Sequence, residues 1–142
     1  MSKALEANAT INASPEVVWA TLTDWAQANR WMSGVESMSA DGPVAVGTKL
    51  MFRARGKDRP SEIVQVDPGR SMTLRSVQGG VTADYTYELV PLDGDSTRAS
   101  LAAQCQTSGV VWGLLGPAIR FAMRRADRGQ MDALKKTVED GN

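Results

Sequence analysis

The stretch SPEVVWATLTDWAQANRWM, residues 14–32, carries three of the chain's four tryptophans, spaced six residues apart at Trp19, Trp25 and Trp31. On an α-helix each step of six residues turns about 240°, so one straight helix would point the three indoles in three directions. The spacing therefore indicates either two helices or one helix that buries more than one of its sides.

Local signals in this stretch favour two short helices. The Ser-Pro pair at its start supplies an N-cap and a first-turn proline. Asp24 offers a break, after which WAQANRWM forms a second short helix at an angle to the first. Because two helices set in a V can turn all three indoles inward, we expect Trp19 and Trp25 in the core and Trp31 at the rim of a pocket.

The rest of the chain reads as a run of strands followed by a helix. Clusters of Gly, Pro and Asp recur at short intervals. The segments between them alternate or are rich in strand formers: ALEANATINA at the start, then TKLMFRAR, SEIVQV, SMTLRSV, VTADYTYELV and TRASLAAQC. A helical segment runs from about Pro117 to Glu139. This order predicts one α+β domain over residues 1–142.

The strands can be placed in register from their turns, because a one-residue slip moves every side chain to the other face. A two-residue turn at Gly79-Gly80 sets apolar residues opposite one another and Arg75 opposite Asp84. A three-residue loop over residues 93–95 continues the pattern. Extending backwards through longer loops gives three rows on one face: Leu50-Val66-Met72-Tyr87-Leu101, Phe52-Val64-Leu74-Tyr85-Ala103 and Ala54-Glu62-Ser76-Ala83-Cys105.

The third row consists of small side chains apart from Glu62. Small residues between a sheet and a helix leave space, and space with a few polar groups suits a ligand pocket. Alternatively, the small residues let the helix pack closely, and Glu62 reaches solvent at a strand end. The sequence leaves both interpretations open.

The C-terminal helix supplies the opposite wall through an apolar stripe that Asp127 interrupts: Ile119, Met123, Asp127, Met131, Leu134 and Val138. The Asp127 carboxylate is either a cavity group or a surface group paired with Arg124. A basic ridge also follows this helix, at Arg120, Arg124 and Arg128. Such a ridge is typical of a solvated face, and contact with lipid head groups is the alternative.

Composition excludes several kinds of site. The 142 residues include 16 basic and 16 acidic residues, one cysteine and no histidine. Histidine-dependent triads are therefore excluded, as are an internal disulfide and a cysteine metal cluster, and we expect no metal and no cofactor. The balanced charge predicts no nucleic-acid partner. The N-terminus lacks a signal-peptide core and residues 108–119 are too short to span a bilayer, which predicts a cytoplasmic protein without stable membrane insertion.

The charge is nevertheless uneven along the chain. Residues 49–75 hold seven basic side chains, Lys49, Arg53, Arg55, Lys57, Arg59, Arg70 and Arg75, against three acidic ones, Asp58, Glu62 and Asp67. A solvated sheet face accounts for this excess, and a phosphate-binding surface is the alternative.

The order of elements, together with SPEVVWATLTDWAQANRWMSGV, VGTKLMFRARG, EIVQVDPGRSMTLRS, YTYELVPLDGDSTRASL and the terminal LKKTVE, resembles the polyketide cyclase/dehydrase branch of the START-like (SRPBCC) superfamily. The likeness covers essentially the whole chain. It implies a helix-grip fold, in which a curved antiparallel sheet of about seven strands wraps around a long C-terminal helix, with two short helices after the first strand. It also implies a deep apolar cavity and ligands such as polyketides, sterols or fatty acids.

Three functions follow from these observations. The first is binding of a hydrophobic small molecule, as carrier, sensor or sequestering protein, by a monomer or homodimer. The second is a cyclase or dehydratase in which Glu62 acts as base and a tyrosine as donor. The third is a protein-interaction module of the chaperone-activator type. The predicted ligand-binding residues are Trp31, Phe52, Glu62, Leu74, Ser76, Tyr85, Tyr87, Leu101, Met123 and Asp127.

Overall fold

The computed structural model describes residues 2–32 and 34–140. Strand β1 (Ser2–Ile11) is followed by helix α1 (Pro15–Leu22) and a 3₁₀ helix (Trp25–Arg30). Six strands follow: β2 (Ser37–Ala40), β3 (Lys49–Ala54), β4 (Lys57–Asp67), β5 (Ser71–Gln78), β6 (Val81–Leu92) and β7 (Ser96–Thr107). The chain then enters helices α2 (Val110–Asp127) and α3 (Gln130–Asp140).

The strands form one antiparallel sheet in the order β1-β7-β6-β5-β4-β3-β2. This curved sheet and the C-terminal helix confirm the predicted helix-grip fold. The helix begins earlier than predicted, at Val110, and a break at residues 128–129 divides it into α2 and α3. No helix in the described part of the chain is long and apolar enough to cross a membrane.

The tryptophan-rich stretch forms two short helices because each has its own boundary signals. The Ser14 hydroxyl accepts a hydrogen bond from the Val17 backbone N–H, and proline occupies the first helical position. The chain leaves helical geometry at Thr23, and the 3₁₀ helix starts after Asp24. Trp19 and Trp25 pack, partly buried, against the core as predicted.

The predicted hairpin registers are confirmed from β5 to β7. Leu74 pairs with Tyr85, and Arg75 meets Asp84 through two hydrogen bonds of 2.8 and 2.9 Å. In the next hairpin, Tyr87 pairs with Leu101. Short turns set these registers, so the alternation of side chains carries through both hairpins.

The predicted register of β3 and β4 is wrong. Val66 lies opposite Met72 as expected, but an irregularity at Val64 shifts the remaining pairs, so that Ile63 faces Leu74 and Glu62 faces Arg75. An extra residue in one strand reverses which side chains point to each face. The pairing of β3 slips as well: Leu50 pairs with Ser61, Phe52 with Arg59 and Ala54 with Lys57.

The C-terminal helices are tied to the edge strand β1 and its following turn by side-chain hydrogen bonds. The Arg124 Nε–H donates to the Ala4 carbonyl at 3.1 Å, and Lys135 Nζ donates to the Thr10 carbonyl at 2.9 Å. The Glu139 carboxylate accepts from the Asn12 backbone N–H at 2.9 Å. Arg124 is thus engaged with the backbone of β1, and Asp127 takes different partners.

Candidate functional site

A cleft lies between the inner face of the sheet and the helices, and it has two adjoining compartments. The inner compartment is about 230 Å³ and reaches buried side chains of β6 and α3, among them Tyr87 and Gln130. The outer compartment is about 710 Å³ and extends to the β5–β6 turn and Trp112 of α2. The two share the lining residues Phe52, Ala54, Arg55, Ser76, Tyr85, Ala126 and Asp127.

A chain of hydrogen bonds crosses the cleft where α2 ends. The Tyr85 hydroxyl donates to Asp127 Oδ2 at 2.9 Å, and the Tyr87 hydroxyl donates to Gln130 Oε1 at 2.9 Å. Gln130 Nε2 completes the chain by donating to Asp127 Oδ1 at 2.8 Å. Tyr85 and Tyr87 are two residues apart on β6 and therefore point to the same face of the sheet. Asp127 is the last residue of α2, and Gln130 is the first residue of α3. The break between α2 and α3 therefore places the Asp127 carboxyl group and the Gln130 amide within hydrogen-bond distance of the Tyr85 and Tyr87 hydroxyls.

Burial controls the protonation of this network. Asp127 is 8% exposed, and this burial raises the pKa of its carboxyl group. The hydrogen bonds from Tyr85 and Gln130 lower the pKa, but burial is the larger effect. Burial also raises the pKa of both Tyr85 and Tyr87, and the nearby Asp127 charge adds to the effect. Both phenols are therefore neutral hydrogen-bond donors at neutral pH. Within residues 2–32 and 34–140, no cation forms an ion pair with Asp127.

Two hydroxyl groups on the sheet face the cleft without protein partners. Ser61 is buried and lines the inner compartment, and Ser76 lines both compartments. Neither side chain forms a hydrogen bond within the described part of the chain. Both hydroxyls are thus free to donate to, or accept from, a molecule in the cleft.

Most of the predicted site residues line the cleft. Six of them, Phe52, Leu74, Ser76, Tyr85, Tyr87 and Asp127, line the inner compartment, and Met123 lines the outer one. The two interpretations left open for Asp127 are thereby decided in favour of the cavity. Space beside the small side chains Ala54, Ser76 and Ala83 also agrees with the pocket interpretation of that row.

Three of the predicted site residues lie elsewhere. Glu62 is on the outer face of the sheet and forms an ion pair with Lys49, so its predicted place in the cavity is wrong. Leu101 is fully covered in the core. Trp31 is 2% exposed and does not form the rim; its ring meets Tyr87 edge-on, with centroids 5.7 Å apart and planes at 87°. Trp31 therefore packs against Tyr87 and helps to hold that ring in the cleft wall.

Trp112 forms the rim instead, because it packs on two glycines of the β5–β6 turn. A Cβ atom added to Gly80 would lie 2.1 Å from Trp112 Cδ1, and one added to Gly79 would lie 3.1 Å from Trp112 Cζ2. No side chain fits at Gly80 while the indole stays in place. The sequence signal was present, since a Gly-Gly turn permits close approach, but nothing in it specified the partner.

Polar and charged lining residues that the prediction missed include Ser61, Gln130, Arg55 and Arg59. Ser61 was missed because of the bulge in β4. Gln130 follows Asp127 by three residues, a spacing that places both on one helix face. The two arginines lie at the β3–β4 hairpin and line the cleft at its mouth.

Solved structures with the same fold come from several bacteria. TTHA0849 from Thermus thermophilus matches with a TM-score of 0.74 at 20% identity, over 97% of this chain and 98% of that one. The Zhui aromatase/cyclase from Streptomyces sp. R1128 matches with a TM-score of 0.74 at 18% identity, over 95% and 92% of the two chains. A START superfamily protein from Mycobacterium smegmatis matches with a TM-score of 0.67 at 14% identity, over 97% and 98%.

At these identities the likeness shows the fold alone. The chain has no match among functionally curated proteins. The family model described as polyketide cyclase / dehydrase and lipid transport matches residues 3–139, which is nearly the whole chain. This protein therefore belongs to that family.

Proposed function

We propose that the cleft binds a largely apolar small molecule and holds a polar group of that molecule against Tyr85 and Asp127. The observation that carries this proposal is an open, mostly apolar cleft that contains the buried carboxyl group of Asp127, which forms no ion pair with any described residue. Ligand sites have this composition: a mostly apolar lining with a few placed polar groups that fix orientation. An open cleft also favours a small-molecule site over a protein-interaction module.

The chemistry of the polar groups favours a ligand that donates a hydrogen bond. The hydrogens of both phenols are already committed, to Asp127 and Gln130, so their oxygens remain as acceptors. The Asp127 carboxylate adds further acceptor sites, and Ser61 and Ser76 adapt to either role. A hydroxyl or N–H group on an apolar body satisfies this arrangement. The family description includes lipid transport, and one structural neighbour is named an aromatase/cyclase, which agrees with an apolar ligand.

The first experiment is native mass spectrometry of the protein purified without detergent, followed by titration with N-phenyl-1-naphthylamine. This neutral probe has an apolar body and one N–H group, and its fluorescence rises in an apolar site. We expect a retained small-molecule mass or saturable probe binding. A protein that retains nothing and does not bind the probe contradicts the proposal.

Two substitutions on strand β5 locate the site. Ser76→Phe fills the space shared by both compartments and should weaken probe binding by at least about tenfold. Val77→Phe is the matched control, because Val77 is the next residue on the same strand and lies exposed on the other side of the sheet. Equal weakening by both variants would place the probe outside the cleft.

A cyclase is the second candidate, favoured by the raised pKa of Asp127 beside a phenol. In that reaction the Asp127 carboxylate removes a proton from a carbon flanked by two carbonyls. The resulting enolate attacks a carbonyl further along the same chain, a C–C bond closes the ring, and the new alkoxide takes the proton back from Asp127. Glu62 cannot serve as the base because it lies on the outer face. Asp127→Asn should abolish ring closure of a linear polyketone, followed by NMR, while probe binding persists.

A further inference from the structure

The hairpin between β3 and β4 holds an arginine in a backbone conformation that is unfavourable for this residue type. The two turn residues, Arg55 and Gly56, have φ values of 54° and 74°. Two-residue turns with both φ values positive favour Asn-Gly or Gly-Gly, because side chains other than those of Gly, Asn and Asp rarely adopt this region. The requirements of the turn therefore do not explain Arg55. Its side chain lines both compartments of the cleft.

A second arginine lies beside it on the inner face. Arg59 pairs with Phe52 across the strands, is half-buried and lines the outer compartment. Its Nη1 donates to the Gln78 side-chain oxygen at 2.6 Å, which leaves its other N–H groups available. Two guanidinium groups thus border a cleft whose lining is mostly apolar.

The two carboxylates that β4 carries next to these arginines are paired with other cations. Asp58 accepts from Arg53, and Glu62 is paired with Lys49. Arg55 forms neither a hydrogen bond nor an ion pair, and Arg59 forms no ion pair, with any residue in the described ranges. Guanidinium groups without protein anions at a cleft are suited to an anion from solution, since they bind carboxylate and phosphate through paired N–H donors.

The polarity of the cleft orients such a ligand. Asp127 lies at the buried end, bonded to Tyr85 and Gln130, and its negative charge repels an anion placed there. Arg55, in contrast, is exposed, and Arg59 is half-buried. An amphipathic ligand therefore binds most favourably with its apolar body inside the cleft and its anionic head group next to the arginines. Any neutral hydrogen-bond donor on the apolar body then lies near Asp127.

We propose that Arg55 and Arg59 form an anion site at the mouth of the cleft, and that the natural ligand is an apolar molecule carrying a carboxylate or phosphate head group. This inference rests on the proposed small-molecule function and narrows its ligand class. It also assigns the basic excess of residues 49–75 in part to ligand recognition.

The test uses three probes with the same twelve-carbon chain: dodecanoate, dodecyl phosphate and 1-dodecanol. Affinities are measured by calorimetry at about pH 8, each probe below its micelle-forming concentration. We expect the wild type to bind at least one of the two anions about tenfold tighter than the alcohol. Which anion binds more tightly identifies the head group. Added salt should reduce the advantage of the anion and leave the alcohol's affinity nearly unchanged.

The variant Arg55→Gln should lose most of this advantage while still binding 1-dodecanol. Arg53→Gln is the matched control, because Arg53 lies two residues earlier on the hairpin and is paired with Glu36 and Asp58. Thermal unfolding of both variants by circular dichroism checks that each is folded.

Two results would overturn the inference while leaving the proposed function intact. One is equal affinity of the wild type for the alcohol and both anions, and the other is an undiminished anion preference in Arg55→Gln. If the wild type binds none of the three probes and N-phenyl-1-naphthylamine also fails to bind, the inference and the small-molecule function fail together.

Discussion

Asp127 affects both the chemistry of the cleft and the stability of the fold. The sequence placed it on an apolar stripe but could not decide between a cavity and a surface pair with Arg124. That choice depends on contacts far apart in sequence: Arg124 reaches the backbone of β1, and Tyr85 reaches Asp127 from a strand 42 residues earlier. No local pattern encodes partners at that distance.

The raised pKa of Asp127 predicts how stability changes with pH. Because its folded-state pKa lies above the ordinary value of 3.8, the folded protein holds this proton more tightly than the unfolded chain does. Its favourable contribution is complete below the unfolded pKa and is lost as pH rises through the folded pKa. Asp127→Asn removes this dependence, so the wild type should lose stability relative to the variant as the pH rises above the ordinary carboxyl pKa and through the raised pKa of the folded state.

Urea unfolding at several pH values measures that difference. Asp132→Asn is a suitable control, because Asp132 is exposed in the first turn of α3 and does not line the cleft. If the wild type and Asp127→Asn changed in parallel across the whole range, burial would not be the main influence on this carboxyl group.

Among the elements, the strands show how far register can be predicted. The β5–β6 and β6–β7 hairpins followed from short turns, and four of the five predicted site residues on these strands, Leu74, Ser76, Tyr85 and Tyr87, line the cleft. The fifth, Leu101, is covered in the core. No turn residue or other sequence signal indicates the β4 bulge at Val64. A single extra residue moved Glu62 to the outer face and brought Ser61 inward, so the prediction failed at β4. The longer loop expected between β3 and β4 is in fact a two-residue turn at Arg55 and Gly56.

The contact between the β5–β6 hairpin and α2 gives a prediction at this scale. Gly80→Ala introduces a Cβ atom 2.1 Å from the present position of Trp112 Cδ1, so the indole must move away from the turn. We expect a loss of about 1 kcal/mol in stability. Trp112 emission should shift to longer wavelength, measured as the difference from the same protein carrying Trp112→Phe.

Gly113→Ala is the control for that substitution. A Cβ atom at Gly113 meets nothing within 4 Å, and alanine favours the helix, so this variant should be slightly more stable than the wild type with unchanged emission. Unchanged emission in Gly80→Ala would mean that Trp112 does not pack on the turn in solution.

For the whole molecule, the two C-terminal helices contribute very differently to the core. Helix α3 buries Met131, Leu134 and Val138, whereas α2 leaves large apolar side chains exposed, most of them in its first half: Val110, Trp112, Leu114, Leu115 and Phe121. The sequence indicated one apolar stripe from Ile119 to Val138, interrupted by Asp127, and could not reveal this division. It depends on where the sheet curves towards the helix, which is a property of the assembled fold.

Two substitutions of the same residue type test the division. Leu134 is 0% exposed and Leu114 is 78% exposed. Leu134→Ala should reduce the free energy of unfolding by about 3 kcal/mol, because it leaves a cavity in the core. Leu114→Ala should change it by less than about 0.5 kcal/mol. Chemical denaturation of both variants provides the comparison, and similar losses would show that α2 is buried more deeply than the structure indicates.

The exposed N-terminal part of α2 affects how this protein can diversify. Trp112 and Ile119 border the cleft from a segment that buries little, while α3 and the central strands hold the molecule together. Substitutions in that segment can therefore reshape the opening at small cost to folding. Selection can then explore new ligands on one side of the cleft while the scaffold that presents the acid and the two phenols stays unchanged.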